Sequence, residues 1–581
     1  MNLKDFTESV DRLSEHLEKA DLICLLHNIA RKVPEKNRDA FLEIMQSVHK
    51  SDKDSTQDSK KTAQKDSEKD IKKEAARVQK LFDSIEEGEL CLEVEEYIDY
   101  DRSWGYDEGE YSYEDPDHVI RVYEEAAGLI EKCIDAGEYH TALDIFDRID
   151  STEVQVRCEW DDFTMAMDDL VEAKLLTFDL THMALCVLYA AYQVTEPGER
   201  AEELYDYMNV TYFSDVHLED MLTLGANALP GLPEFWDSWI SLLSETAGDL
   251  ARRLLKEAIL CRSGDQGLLE TARDVCKVHP SLYLDAMEVS EKSGDYAMQL
   301  EIGKEALEKI NKKYVIRSQA ALKTAEAAIR LDRAKEAEGY WLEAFRSCTV
   351  PVNYLRIIGE SADPKGYLSN LASMVGSVAK VSSIMHHGPE ELKENLAVDS
   401  NLYILQFLNG DFDKAIKQHG KALVFLLLFK EDDWKQGCLY MAKEAVSSMY
   451  FRAADYYAGT EYHVVSGKKG AENDMELFRR CFNRWKSLHH LSAEQEKSYL
   501  SVVEKMVDNY VSTTVSEQQR KWYAEAAAYA AALGEVRESL GEAGGKQRTM
   551  QKYKEQFPRH NAFHGGLRNY GMQDMRKGKI R

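Results

Sequence analysis

The sequence predicts an all-α protein, an α-solenoid of stacked, TPR-like helical hairpins, and three observations carry that expectation. Apolar residues recur at three- and four-residue intervals from about Ala75 almost to the C-terminus, the period of one helix face. Only 10 prolines interrupt 581 residues, so long helices meet few breaks. A corner of glycine, acidic residue and aromatic recurs between helical stretches. No run of alternating β-branched residues is long enough to predict a strand.

The elements follow in order. Residues 1–48 read as an N-terminal helical unit: Phe6, Val10, Leu13 and Leu17 share one face, Leu22, Leu25, Leu26 and Ile29 the next, and Phe41, Ile44, Met45 and Val48 a third. Asp21 is placed to cap the second helix and Pro34 to end it. Residues 49–75 read as a charged flexible linker, because Ala63 is the only apolar residue between Ser51 and Asp70 and such a stretch buries too little to offset its ordering entropy. Residues 76–545 form the solenoid, and 546–581 a basic C-terminal segment. A chain of this length exceeds one ordinary core of about 100–200 residues, which suits either several domains or a repeat array.

Within the solenoid the corner appears as Gly137-Glu138-Tyr139, Gly294-Asp295-Tyr296 and Gly410-Asp411-Phe412, with a degenerate copy beginning at Asp332. Glycine ends one helix in the left-handed conformation, the acidic residue caps the next, and the aromatic packs into the elbow. Alanines that follow, such as Ala142, Ala306, Ala337, Ala344, Ala415 and Ala422, let helices approach closely. The spacings 294 to 332 and 332 to 410 are 38 and 78 residues, a period near 39 with no clear copy near 371, against about 34 for tetratricopeptide repeats.

Composition narrows the function classes. The formal charge is −30, from 103 acidic and 73 basic residues, which opposes non-specific attraction to phosphate backbones and anionic lipid over most of the surface. The ten cysteines lie at least 15 positions apart, so sequence-local zinc-ligand pairs are excluded and buried reduced thiols are expected. The richest apolar run, Ala422 to Phe429, is too short to cross a bilayer, and the N-terminal stretch has no apolar signal core. The expectation is a cytoplasmic protein with no membrane association.

Two segments offer interaction chemistry. Between Leu81 and Asp117 lie 15 acidic residues and one arginine, Arg102, with Phe82, Tyr97, Tyr100, Trp104, Tyr106, Tyr111 and Tyr113 interleaved. This strip either grips a basic partner through charge and cation–π contact or packs its rings on the solenoid. Residues 546–581 carry ten basic residues against Glu555 and Asp574. They either cap the solenoid, dock on an acidic surface, or bind nucleic acid with Tyr553, Phe557, Phe563 and Tyr570 as stacking groups. His386-His387 and His489-His490 point about 100° apart on a helix and make no chelating pair. Nucleophile, phosphate-loop and dinucleotide motifs are absent, so no catalytic, cofactor-binding or metal residue is expected.

Four segments, ADLICLLHNIARKVPE (20–35), EEYIDYDRSWGY (95–106), LIEKCIDAGEYHTALDIF (129–146) and YKEQFPRHNAFHGGLRNYG (553–571), resemble the helical region of bacterial SWIM zinc-finger proteins. The resemblance implies a helical scaffold. That family's zinc motif, of the form CxCx(n)CxH, has no counterpart in this chain, so the resemblance implies a scaffold without the finger. Together these readings predict a non-catalytic scaffold with a protein partner. A nucleic-acid-associated protein acting through 546–581 and an enzyme with a nonlocal site stand as alternatives.

Overall fold

The computed structural model describes residues 57–98, 109–158, 162–213, 215–222, 224, 229–381, 388–416, 420–453, 456 and 473–573. The expected helical unit 1–48 lies outside them. The described chain is mainly helical, with consecutive helices packed on one another. Its contacts divide it into two compact units, residues 1–267 and 268–581, so the stretch expected as one solenoid separates at Gly267. The helical segment Asp249–Val275 already breaks at Gly264 (φ 65°, ψ −163°), a conformation open to glycine and closed to most other residues.

In the first unit, α1 (Gln57–Glu86) begins inside the stretch expected as a flexible linker. Ile71, Ala75, Val78, Phe82 and Ile85 are buried at 4-3-4-3 spacing, which fixes the C-terminal half of the helix. Extending an existing helix through Lys, Glu, Asp and Gln costs far less than nucleating one, so the charged stretch continues it. The expectation of a flexible 49–75 is corrected from Gln57 onward. Helices α2 (Val119–Ala136) and α3 (Tyr139–Ser151) form a hairpin against α1 and against α4 (Leu180–Val194), with Phe82 edge-on to Tyr123 at 5.2 Å between centroids.

The first unit also contains strands that the sequence did not predict. β1 (Leu92–Ile98), β2 (Gly109–Glu114), β3 (Val154–Cys158) and β4 (Phe163–Met165) form one sheet in the order β2-β1-β3-β4. β1 pairs antiparallel with β2 and parallel with β3, which pairs antiparallel with β4. Only β3 alternates cleanly, Val154 and Val156 buried around exposed Gln155. β1 and β2 are rich in glutamate, a poor strand former, and their pairing comes from tertiary context rather than propensity.

The second unit opens with three helical hairpins: α5 (Leu282–Ser293) with α6 (Tyr296–Lys309), α7 (Ile316–Arg330) with α8 (Ala334–Ser347), and α9 (Pro351–Glu360) with α10 (Pro364–Ser377). Their first helices begin at 282, 316 and 351, steps of 34 and 35 residues. The 39-residue period read from the corners overestimates this step, because the first helix of each pair varies in length. Leu371 sits buried inside α10, which explains the missing corner there. Two short strands, β5 (Ala379–Val381) and β6 (Leu396–Val398), then pair in parallel.

The left-handed turns of the corners form as expected, while side-chain capping occurs at one of them. Gly137, Gly294 and Gly410 have φ of 79°, 76° and 88°, and Asp332 takes the same left-handed position at 58°. Only Asp295 caps with its side chain, accepting from the Met298 amide at 2.9 Å; Glu138 and Asp411 occupy the cap position without that bond. Tyr139 packs edge-on to Tyr189, Arg330 lies over the Tyr296 ring, and Phe412 meets Phe407.

The rest of the second unit is organised by α13 (Tyr523–Ser539), which packs against α11 (Gln436–Ser448), α12 (Ala493–Ser516), α14 (Gly545–Gln556) and α15 (Asn561–Asn569). Its run of buried alanines from Ala526 to Ala532, interrupted by Tyr529, lets neighbours come to backbone distance. A Cβ on Gly437 would sit 2.3 Å from the Ala532 nitrogen, and one on Gly534 2.5 Å from the Lys546 Cα. The segment 546–581, for which a solvated cap is one expectation, contributes buried side chains to this core as far as Met572. Met550, Tyr553, Phe563 and Leu567 are fully buried. No helix among the described residues is long and apolar enough to cross a membrane.

Candidate functional site

The close packing on α13 brings together two carboxylates and four tyrosines from four helices. Glu444 and Tyr440 lie one turn apart on α11, Tyr510 is on α12, Glu525 and Tyr529 are one turn apart on α13, and Tyr570 follows α15. Gly437 and Gly566 make the arrangement possible: any side chain at Gly566 would meet the Ala527 Cβ and the Tyr523 carbonyl, each at 3.2 Å.

The Tyr529 hydroxyl donates to Glu444 Oε2 at 3.0 Å, and Tyr440 lies one turn before Glu444 on the same helix. The charge of Glu525 acts on the Tyr510 hydroxyl. The Tyr510 and Tyr529 rings lie 5.1 Å apart, Tyr440 and Tyr570 meet edge-on at 6.4 Å, and Phe425 closes the inner wall perpendicular to Tyr529 at 5.9 Å. Tyr529 is buried, while Tyr440, Glu444, Tyr510, Glu525 and Tyr570 remain half-exposed.

Burial raises the Glu444 carboxyl above its ordinary 4.5, and the negative charge of Glu525 adds to this; the tyrosine hydroxyls and Lys421 oppose it. Burial, with the neighbouring carboxylates, also pushes the hydroxyls of Tyr440, Tyr510, Tyr529 and Tyr570 upward. They stay protonated near neutrality and serve as donors. A cluster of half-exposed carboxylates and electron-rich rings suits an ammonium or guanidinium group, which would relieve the repulsion between the two carboxylates.

Sequence reasoning did not single out this cluster, because its residues come from positions 440 to 570 and no local spacing joins them. The segments it did single out are used differently. Phe82 belongs to the core of the first unit. Tyr97 and Tyr111 lie on β1 and β2, and the register sets Glu93 opposite Glu114 and Tyr97 opposite Glu110. Tyr100, Arg102, Trp104 and Tyr106 fall outside the described residues. In the C-terminal segment, Tyr553 and Phe563 are buried, Phe557 nearly so, and Tyr570 packs on Tyr440. Lys546, Arg548 and Lys552 pair with Glu535, Glu542 and Asp508. Arg576, Lys577, Lys579 and Arg581 lie outside the description.

His489 is half-buried against Trp485, with its Nδ1 3.1 Å from the Trp485 carbonyl oxygen, and desolvation lowers its pKa. His386 and His387 lie outside the described residues. The described cysteines are free thiols; burial pushes Cys133 and Cys186 up to about 12, and burial together with a hydrogen bond to Glu219 does the same for Cys261. Among the described residues no group of three or more His, Cys, Asp or Glu side chains is placed to hold a metal ion. No protein-family model matches the chain, and no curated protein matches it significantly.

Proposed function

We propose that this chain is a non-catalytic helical-repeat scaffold of the cytoplasm that recruits a protein partner, and that a lysine or arginine of the partner docks between Glu444 and Glu525. The observation that carries the reading is the half-exposed carboxylate pair enclosed by Tyr440, Tyr510, Tyr529 and Tyr570. It offers charge and ring faces at one place, the chemistry of cation recognition. The resemblance to the helical region of SWIM zinc-finger proteins belongs to the same proposal, as a scaffold lacking the finger.

Two other readings are separable. An acid–base enzyme is favoured by one observation, a carboxyl raised by burial beside a second carboxylate. Nucleic-acid binding through 546–581 is weakened by the burial of its proposed stacking rings and the internal pairing of Lys546, Arg548 and Lys552.

The test is affinity capture with the full chain and with the Glu444→Gln/Glu525→Gln double variant, with and without nuclease, at low and moderate salt. One discrete protein retained after nuclease by the wild type, and reduced at least tenfold by the variant, is expected. Equal retention by the variant sinks the docking site. Recovery of nucleic acid alone, lost with salt, sinks the scaffold reading.

A further inference from the structure

The segment 388–396, Gly-Pro-Glu-Glu-Leu-Lys-Glu-Asn-Leu, makes one 3-10 turn at Glu390–Leu392, then extends into β6 at Leu396, and is bonded to the start of each of the three hairpins of the second unit in turn. At the first, the Glu391 carboxylate accepts from His279 Nδ1 at 2.8 Å, from the Ser281 amide at 3.2 Å and from Ser281 Oγ at 2.5 Å. Ser281 is the N-cap of α5, so the carboxylate lies where the helix presents free amides. At the second, the Val315 amide donates to the Lys393 carbonyl at 2.8 Å and the Asn395 amide to the Lys313 carbonyl at 2.9 Å, around an antiparallel bridge of Tyr314 with Glu394. At the third, Asn395 Oδ1 accepts from the Thr349 amide at 3.0 Å, while its Nδ2 donates to the Arg346 carbonyl and to Thr349 Oγ1, each at 3.0 Å.

Five residues of strap, Glu391 to Asn395, therefore bridge hairpin positions 70 apart in sequence, from His279 to Thr349. The same place in each hairpin, the turn leading into its first helix, supplies the contacts. Two main-chain bonds around one bridge hold the middle, as in a minimal strand addition, and specific side-chain contacts hold the two ends.

The strap buries little apolar surface of its own. Between Gly388 and Leu396 the single buried residue is Glu391, at 4% exposure; Leu392 and Leu396 are half-exposed. Its one deep contact is a charged group, whose desolvation offsets much of what its hydrogen bonds contribute. Few buried apolar contacts of its own therefore oppose its release.

We propose that the starts of these three hairpins form a receptor for a peptide that presents Glu from a 3-10 turn and Asn four positions later on an extended stretch, and that residues 388–396 occupy it in cis until a partner segment of that pattern displaces them. The Glu pocket is His279 with Ser281, the Asn pocket is Thr349 with the Arg346 carbonyl, and the backbone of 313–315 reads the strand between them. The site is distinct from the tyrosine–carboxylate cluster and does not depend on it.

The experiment uses the full chain and a fluorescent synthetic peptide of residues 388–396, followed by fluorescence polarisation. In the Glu391→Ala/Asn395→Ala chain the receptor is vacated, and it is expected to bind the peptide at least tenfold more tightly than the wild type does. A peptide carrying the Glu391→Ala change, or a vacated chain carrying Ser281→Ala as well, is expected to lose at least tenfold of that affinity. A vacated chain with wild-type circular dichroism that binds no better than the wild type overturns the proposal. Hydrogen exchange on the wild type tests it without any variant: the Val315 and Asn395 amides are expected to exchange at least a hundredfold faster than buried amides in the middle of α7. Equal protection would mean that the strap opens only on unfolding, and would overturn the proposal as well.

Discussion

The Glu535 carboxylate, fully buried, lies 2.7 Å from the Lys546 ammonium and accepts hydrogen bonds from the Gly437 and Cys438 amides at 3.0 and 2.8 Å. One side chain on α13 thus caps the start of α11 and anchors α14, and Lys546 is the first residue of the basic C-terminal segment. Removing one member of such a pair leaves an uncompensated charge in the core. Lys546→Met is expected to cost about 3–5 kcal/mol, whereas Arg559→Ala at an exposed position should stay within about 0.5 kcal/mol. Denaturant midpoints of the two variants check this; equal effects would show that the pair contributes nothing.

The backbone contacts of α13 predict opposite outcomes for two glycines. Gly437→Ala forces a Cβ into the Ala532 backbone at 2.3 Å and should destabilise by about 3 kcal/mol or more. Gly339→Ala, exposed inside α8 with nothing within 4 Å, should stabilise by about 0.5–1 kcal/mol through helix propensity. Thermal melting of both reads the sign.

The helix corners separate steric from conformational cost. Nothing lies within 4 Å of a Cβ built on Gly294, yet its φ of 76° disfavours any side chain, so Gly294→Ala is expected to cost about 1 kcal/mol. Asp332→Gly, at φ 58°, should be neutral or gain up to about 1 kcal/mol, since it relieves the same strain. Melting curves in which Asp332→Gly is the less stable of these two variants would contradict the argument.

Glu444 predicts a pH dependence. Burial, helped by Glu525, holds its folded pKa above the ordinary 4.5, so in the window just above 4.5 the native state binds more protons than the unfolded chain. Stability from this group is present below that window and is lost as pH rises through the folded pKa. Glu444→Gln removes the titration. The melting temperature of the variant minus that of the wild type should therefore rise between about pH 4 and pH 7, and a difference that stays flat or falls would exclude the raised carboxyl.

The sequence by itself determined what depends on neighbours along the chain. Helical periodicity, the left-handed corners at Gly137, Gly294 and Gly410, and the concentration of basic residues after 545 were all legible, because each is set by residues a few positions apart. Even the helix from Gln57 was implicit in the spacing of Ile71, Ala75, Val78 and Phe82, although the charged composition before them argued for a linker. Tertiary structure alone decided the rest. The sheet pairs β1 with β3 across two helices, the division at Gly267 depends on which contacts are absent, and the strap bonds Glu391 to His279 over 112 positions. The tyrosine–carboxylate cluster exists because Gly437, Gly566 and the alanines of α13 let four helices meet at backbone distance, so that side chains remote in sequence share one solvent-edge site. No local pattern encodes that meeting, since the free energy that sets it comes from burial of surfaces whose partners the one-dimensional sequence does not name.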